Sequence, residues 1–212
     1  MTKVFPNASF TIGDAISEKQ PPQHKLLPAG EASEETILTV WKKSLLFNCN
    51  GFTVFDSKGD LVFRVDNYMD GNRGEILLMD ANGNPLLTIR RKKMSLGDSW
   101  LVYEGESMEK PRLCVKKSVN ILSKCLAYVS SGNNNSRNNI MYEIEGSYSQ
   151  RNCAVFDDKR RLVAEIKRKE AVGGVAFGTD VFRLIVRPGY ITTDSAMALL
   201  ILLDQMFGSS RR

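Results

Sequence analysis

The sequence predicts a mainly β protein: about a dozen antiparallel strands in one sheet that closes around a hydrophobic C-terminal helix. Three observations predict it. From Thr36 onward, apolar residues alternate at period 2 in short runs bounded by turn residues. Three of these runs share one plan, an apolar strand, a polar turn led by aspartate and an alternating strand. The chain closes on Ala196-Met197-Ala198-Leu199-Leu200-Ile201-Leu202-Leu203, which is apolar on every side.

The elements follow in order. Residues 1 to about 35 carry Pro6, Pro21, Pro22 and Pro28 and no sustained period, which reads as a flexible tail. Residues 36–212 read as a single domain. The tail holds three lysines and five carboxylates, so the chain's formal charge of +5 divides into −2 there and +7 in the domain. The first hairpin joins Gly51–Phe55 to Leu61–Val65 through Asp56-Ser57-Lys58-Gly59-Asp60. The second joins Ile76–Met79 to Pro85–Ile89 through Asp80-Ala81-Asn82-Gly83-Asn84, and the third joins Cys153–Phe156 to Arg161–Ile166 through Asp157-Asp158-Lys159-Arg160. Further strands are expected at Ile37–Lys43, Ser99–Glu104, Arg112–Lys117, Cys125–Val129, Met141–Glu145, Val172–Phe177 and Val181–Arg187. An asparagine-rich loop, Gly132 to Asn139, separates about seven strands from about five. A meander this long curls or closes to remove its edges.

Thr193-Asp194-Ser195 offers side chains that cap a helix, and Gly208 offers a stop. The apolar run between them is far shorter than the ~20 residues a bilayer requires. A helix of about 14 residues is ~21 Å long, close to a barrel strand of six or seven residues. The match predicts a helix threaded through the closed sheet.

Enzyme chemistry finds little support. His24 is the only imidazole, and it lies in Gln20-Pro21-Pro22-Gln23-His24-Lys25, which excludes multi-histidine metal sites and paired-histidine catalysis. Cys49, Cys114, Cys125 and Cys153 show no C-x-x-C spacing and read as reduced, packed thiols. The glycine-rich stretch Glu170–Gly178 lacks the G-x-G-x-x-G spacing and the strand-to-helix context of a nucleotide site. Asp80, Asn82 and Asn84 mimic the start of a calcium loop, but Arg91 stands where the bidentate glutamate is needed, so a hairpin turn is expected. Glu143 and Glu145 share one strand face and read as a solvated pair. No cofactor and no metal are expected.

The order Leu38-Thr39-Val40-Trp41-Lys42-Lys43, Gly51-Phe52-Thr53-Val54-Phe55-Asp56, Phe63-Arg64-Val65-Asp66-Asn67-Tyr68, Trp100-Leu101-Val102-Tyr103, Tyr142-Glu143-Ile144-Glu145-Gly146-Ser147, Asp180-Val181-Phe182 and Met197 through Met206 resembles the LURP-one-related proteins of plants. The resemblance runs from about residue 36 to 207. It implies a tubby C-terminal-like fold, a twelve-stranded antiparallel barrel around a central hydrophobic helix. The superfamily it implies includes tubby-like proteins, which bind phosphoinositides, and phospholipid scramblases. LURP-one itself is associated with plant defence against an oomycete. The family brings no catalytic motif.

Basic clusters are the remaining signal: Lys42-Lys43, Arg90 to Lys93, Lys116-Lys117, Arg160-Arg161 and Lys167 to Lys169. Strand parity turns Arg90, Lys92, Lys167 and Lys169 outward. Such clusters at strand ends either gather at a barrel rim, where they attract phosphate groups, or serve as the ordinary charged ends that keep a sheet soluble. Arg90, Lys92, Lys116, Lys117, Lys167 and Lys169 are therefore the candidate residues for anionic lipid. The expected function is a non-enzymatic binding or adaptor module for phosphoinositide or another anionic phospholipid, with protein partners unidentified and a link to plant defence. A nucleic-acid-associated or transcription-linked role is the alternative, motivated by the basic domain, although no nucleic-acid-binding motif is present. The absence of an apolar leader after Met1 points to an intracellular protein, cytoplasmic with peripheral membrane association, or nuclear, with the sequons at Asn7 and Asn134 unused; a monomer is expected.

Overall fold

Alternating strands with one apolar face bury that face when the sheet curls on itself. The computed structural model describes residues 34–46, 49–68, 74–93, 97–107, 109–120, 123–132, 139–171 and 177–208. His24, the expected tail up to residue 33, the interior of the asparagine-rich loop and residues 172–176 of the expected strand Val172–Phe177 lie outside them. Phe177 itself is in no strand.

The described residues form twelve strands: β1 (Thr36–Trp41), β2 (Cys49–Phe55), β3 (Leu61–Tyr68), β4 (Glu75–Asp80), β5 (Pro85–Arg91), β6 (Ser99–Glu104), β7 (Leu113–Lys117), β8 (Cys125–Ser131), β9 (Ile140–Ser147), β10 (Asn152–Asp157), β11 (Leu162–Arg168) and β12 (Val181–Val186). Helix α1 (Thr193–Phe207) follows. Each strand pairs antiparallel with the next, and β12 returns to pair with β1, closing the barrel. Among the described residues, eight strands precede the asparagine-rich loop and four follow it.

A twelve-stranded barrel is too wide for its own side chains to fill. Inward residues such as Val40, Val54, Leu78, Ile89, Ile144 and Leu184 line the wall, and α1 fills the lumen. From Ala196 to Leu203 no helix residue is more than 2% exposed. Cys114, Cys125 and Cys153 are free, buried thiols. Burial pushes the Cys125 thiol up to about 11 and the Cys153 thiol up to about 12, so both are neutral at physiological pH.

The helix stops at Gly208, as expected, whereas its start departs from the expected caps. The N-cap is Thr192, one residue early, and its side chain makes no bond to the helix backbone. Its hydroxyl donates to Ser195 Oγ at 2.9 Å, while Arg112 donates to Asp194 at 3.1 Å and to Thr192 Oγ1 at 3.0 Å. Gly208 ends the helix with φ −62, so no left-handed turn is needed there. A Cβ at Gly208 would instead collide with the Asp204 carbonyl, which accepts the Gly208 N–H at 2.8 Å. The C-terminal end is held by Lys42, paired with Asp204 at 2.7 Å, by Tyr148, which donates to Asp204 at 3.0 Å, and by Lys117, which donates to the Met206 carbonyl at 3.0 Å. Cations suit that end because unpaired carbonyls concentrate negative charge there.

The three hairpins close by one device. Asp56 accepts from the N–H groups of Lys58 and Asp60, Asp80 from those of Asn82 and Asn84, and Asp157 from those of Lys159 and Arg161. The left-handed position falls to Gly59, Gly83 and Arg160, and a register shift follows in each hairpin. Asp80 is thus a turn residue, as its sequence predicts.

These bonds favour the ionised carboxylates. The Asp60 N–H holds Asp56 below its ordinary 3.8, and the Asn84 side-chain amide does the same for Asp80. At Asp157, burial pushes upward, but the Arg161 N–H and guanidinium outweigh it and the net direction is down. Stability from such groups is complete above the unfolded-state value of about 3.9 and is lost as pH falls through the lower folded value. Asp80→Ala should therefore lower the thermal midpoint at neutral pH and flatten its fall on acidification, as thermal unfolding along a pH series would read. Leu200→Ala should cost about 2–5 kcal/mol by opening a cavity between helix and wall, measured by urea unfolding.

Candidate functional site

Antiparallel order sends the C-terminal ends of odd-numbered strands and the N-terminal ends of even-numbered ones to a single rim, the rim where α1 ends. All six residues expected to meet anionic lipid lie at that rim, in two groups with different surroundings. Arg90 on β5 pairs with Glu75 on β4 at 2.5 Å. Lys92 follows β5, and its N–H bonds the Ser99 carbonyl at 2.8 Å. On β7, Lys116 is exposed, whereas Lys117 turns inward, caps α1 and lies over the Phe207 ring at 4.5 Å. Lys117 is thus part of the helix anchor.

The second group lies across the barrel, with β8, β9 and β10 between β7 and β11. Lys167 on β11 pairs with Glu165 at 2.9 Å and remains half exposed. Lys169 reaches past β12 to donate to Thr39 Oγ1 on β1 at 3.3 Å, and its ammonium lies over the Phe177 ring at 5.2 Å. The register adds a residue that the basic clusters did not include. Arg183 of β12 stands between Lys167 and Thr39 in one cross-strand row, and no carboxylate pairs with it among the described residues. Three cations therefore share one outer wall, β11–β12–β1.

The next row on that wall runs Val181, Trp41 and Thr53. Trp41 packs edge-on against Phe55 at 5.8 Å yet stays 45% exposed. Beyond Trp41 the chain folds over β2 and β3. Thr53 donates to the Lys43 carbonyl at 2.6 Å. Ser44 is buried, donates to Asp66, and accepts the Leu46 N–H at 3.0 Å. Gly51 makes room for this crossing, since a Cβ there would strike the Val65 carbonyl and approach Ser44. Leu45 and Leu46 are left facing solvent beside Lys43.

The profile of the LURP-one-related family matches residues 36–204, the barrel and nearly all of its helix. The chain belongs to the LURP-one-related family. Protein LURP-one-related 8 of Arabidopsis thaliana is 51% identical over 215 residues, covering 99% of this chain and all of that protein. Protein LURP-one-related 17 of the same plant is 48% identical, with 81% of this chain and 83% of that protein covered. An X-ray structure of another Arabidopsis thaliana protein superimposes with a TM-score of 0.61 at 23% identity, covering 82% of this chain and 93% of that one. It shows the same fold.

The opposite rim of this LURP-one-related barrel holds a cleft of about 380 Å³ lined by Arg112, Met141, Tyr142, Tyr190, Ile191 and Thr192. Its one cation is already engaged, because Arg112 also pairs with Glu104 at 3.0 Å beside its bond to Asp194. Glu143 and Glu145 do not face solvent alone, since Arg160 bridges them at 3.1 and 2.8 Å. Among the described residues, no group of three or more His, Cys, Asp or Glu could hold a metal ion. No described helix is long and apolar enough to cross a membrane.

Arg183 had a sequence signal, the alternation that turns it away from Phe182 and Leu184. Trp41, Leu45 and Leu46 had none, because an exposed apolar residue at a strand end looks like a core residue in sequence. The Ser44 hydroxyl carries the geometry of their loop. Ser44→Ala should cost about 1–2 kcal/mol by removing a buried hydrogen bond and should speed amide exchange at Leu45 and Leu46, read by hydrogen–deuterium exchange.

Proposed function

We propose that this LURP-one-related domain is a non-enzymatic binding module that docks peripherally on anionic phospholipid, phosphoinositides included, through the β11–β12–β1 wall. The observation that carries this reading is the row of Lys167 and Arg183 beside Lys169. A basic residue near an anionic membrane contributes about 1 kcal/mol, so Arg183 and Lys169, which no carboxylate neutralises among the described residues, add up on one face, with Lys167 half exposed beside them and paired with Glu165. Lys116 sits at the same rim but on another wall, with β8, β9 and β10 between it and β11. The resemblance to tubby-like proteins, which bind phosphoinositides, supports the same ligand class. Attachment to a membrane would suit an adaptor that brings protein partners to that surface, in defence or elsewhere.

Vesicle flotation across a salt series tests the proposal. The protein should float with phosphatidylserine- or phosphoinositide-containing vesicles at low salt and lose them as salt rises. Replacing Lys167 and Lys169 by Glu should weaken binding by about 2 kcal/mol or more, roughly thirtyfold, while Lys116→Glu changes it little. Failure to float on anionic vesicles at low salt would overturn the proposal. Equal loss with Lys116→Glu would move the site to the other wall.

A further inference from the structure

We infer that the docking surface has an apolar edge, Trp41, Leu45, Leu46 and Phe177, that enters the interfacial layer of an anionic bilayer. This rests on the lipid-docking reading above and adds the mode of attachment. Trp41 is 45% exposed, Leu45 52%, Leu46 38% and Phe177 37%. All four lie at the α1 C-terminal rim: Trp41 at the end of β1, Phe177 ahead of β12 beside Lys169, and Leu45 and Leu46 next to Lys43 on the segment that folds over β2 and β3.

The segment that presents the leucines is pinned at every step. The Lys42 N–H bonds the Asp180 carbonyl at 2.7 Å, and the Lys42 ammonium pairs with Asp204 of the helix. Thr53 holds the Lys43 carbonyl, and buried Ser44 is tied to Asp66, whose charge is met by Arg64 at 2.6 Å. A loop fixed this firmly could have turned its leucines onto β2. It turns its one small polar residue inward instead and the two leucines outward. Exposed apolar area beside cations is the composition of an interfacial anchor, and a tryptophan at the boundary suits the headgroup level. Because the bonds on residues 42–46 are made before contact, insertion requires no further ordering of that stretch of backbone. Charge selects the occupant: Arg183 and Lys169, with no carboxylate partner among the described residues, and exposed Lys43 beside them complement an anionic lipid surface, while Lys167 is offset by Glu165.

Trp41 supplies the readout, since the chain's other tryptophan, Trp100, is buried in the barrel. The full-length protein is titrated with phosphatidylcholine–phosphatidylserine vesicles, with and without brominated acyl chains. Trp41 emission should shift to the blue and be quenched by the brominated lipid, and a Trp41→Phe variant should lose both signals. Leu45→Ser with Leu46→Ser should weaken vesicle binding tenfold or more while leaving the melting temperature and the salt dependence unchanged. Flotation without quenching would overturn insertion and leave electrostatic docking standing. No flotation would overturn both. Loss of a concentration-dependent dimer in the double serine variant, with vesicle binding intact, would assign the edge to a second copy of the chain and overturn the inference.

Discussion

The constraint on which the structure depends is the lumen of a twelve-stranded barrel. Twelve strands enclose more space than their inward side chains fill, and an empty lumen would forfeit the packing that offsets chain entropy. The filler must be apolar in every direction and as long as the wall is tall. Helix α1 meets both conditions, with eight consecutive residues that are all but inaccessible. Its ends then fall at the two rims, and each rim must satisfy a helix terminus. The N-terminal rim does so with Asp194 and Arg112, and the C-terminal rim with Lys42, Lys117 and Tyr148. Part of the basic character of the C-terminal rim therefore answers the helix and not a ligand.

Much of the fold was legible because the signals are local. Period 2 sorts each strand into an inner and an outer face, and the Asp-led turns mark hairpins wherever an aspartate can gather two N–H groups ahead of a left-handed residue. Arg160 takes that left-handed position in the third hairpin without being glycine, so the aspartate is the firmer sign. The helix was legible from its apolar circumference. Its stop at Gly208 was legible too, but its N-cap was not, because Thr192 serves through contacts with Ser195 and Arg112 that no local pattern announces.

The candidate site was legible only in part, for the same reason. Parity says that Lys167 and Arg183 point outward, but not that they are cross-strand partners or that Lys169 spans β12 to reach Thr39. Parity likewise puts Lys116 and Lys117 on opposite faces, yet does not say that the inward one meets a helix carbonyl. Closure of the barrel decides these matters, and closure is a property of all twelve strands together.

The domain's net charge of about +7 is a poor guide to where an anion would bind. Arg64 faces Asp66, Arg90 faces Glu75, Arg91 faces Asp98 at 3.2 Å, Arg160 bridges two glutamates and Arg161 faces Asp157 at 2.6 Å. Pairs like these cancel at a distance of a few ångströms, and salt screens what is left. An approaching surface feels the unpaired residues. On the β11–β12–β1 wall these are Arg183, with no carboxylate partner among the described residues, and Lys169, which is held by a hydroxyl and an aromatic ring, neither of which neutralises it. The same corner of the barrel leaves Trp41, Leu45 and Leu46 exposed. Charge that is not cancelled and apolar surface that is not covered coincide there because one short segment, residues 42–46, anchors the helix with Lys42 and turns its leucines away from the wall.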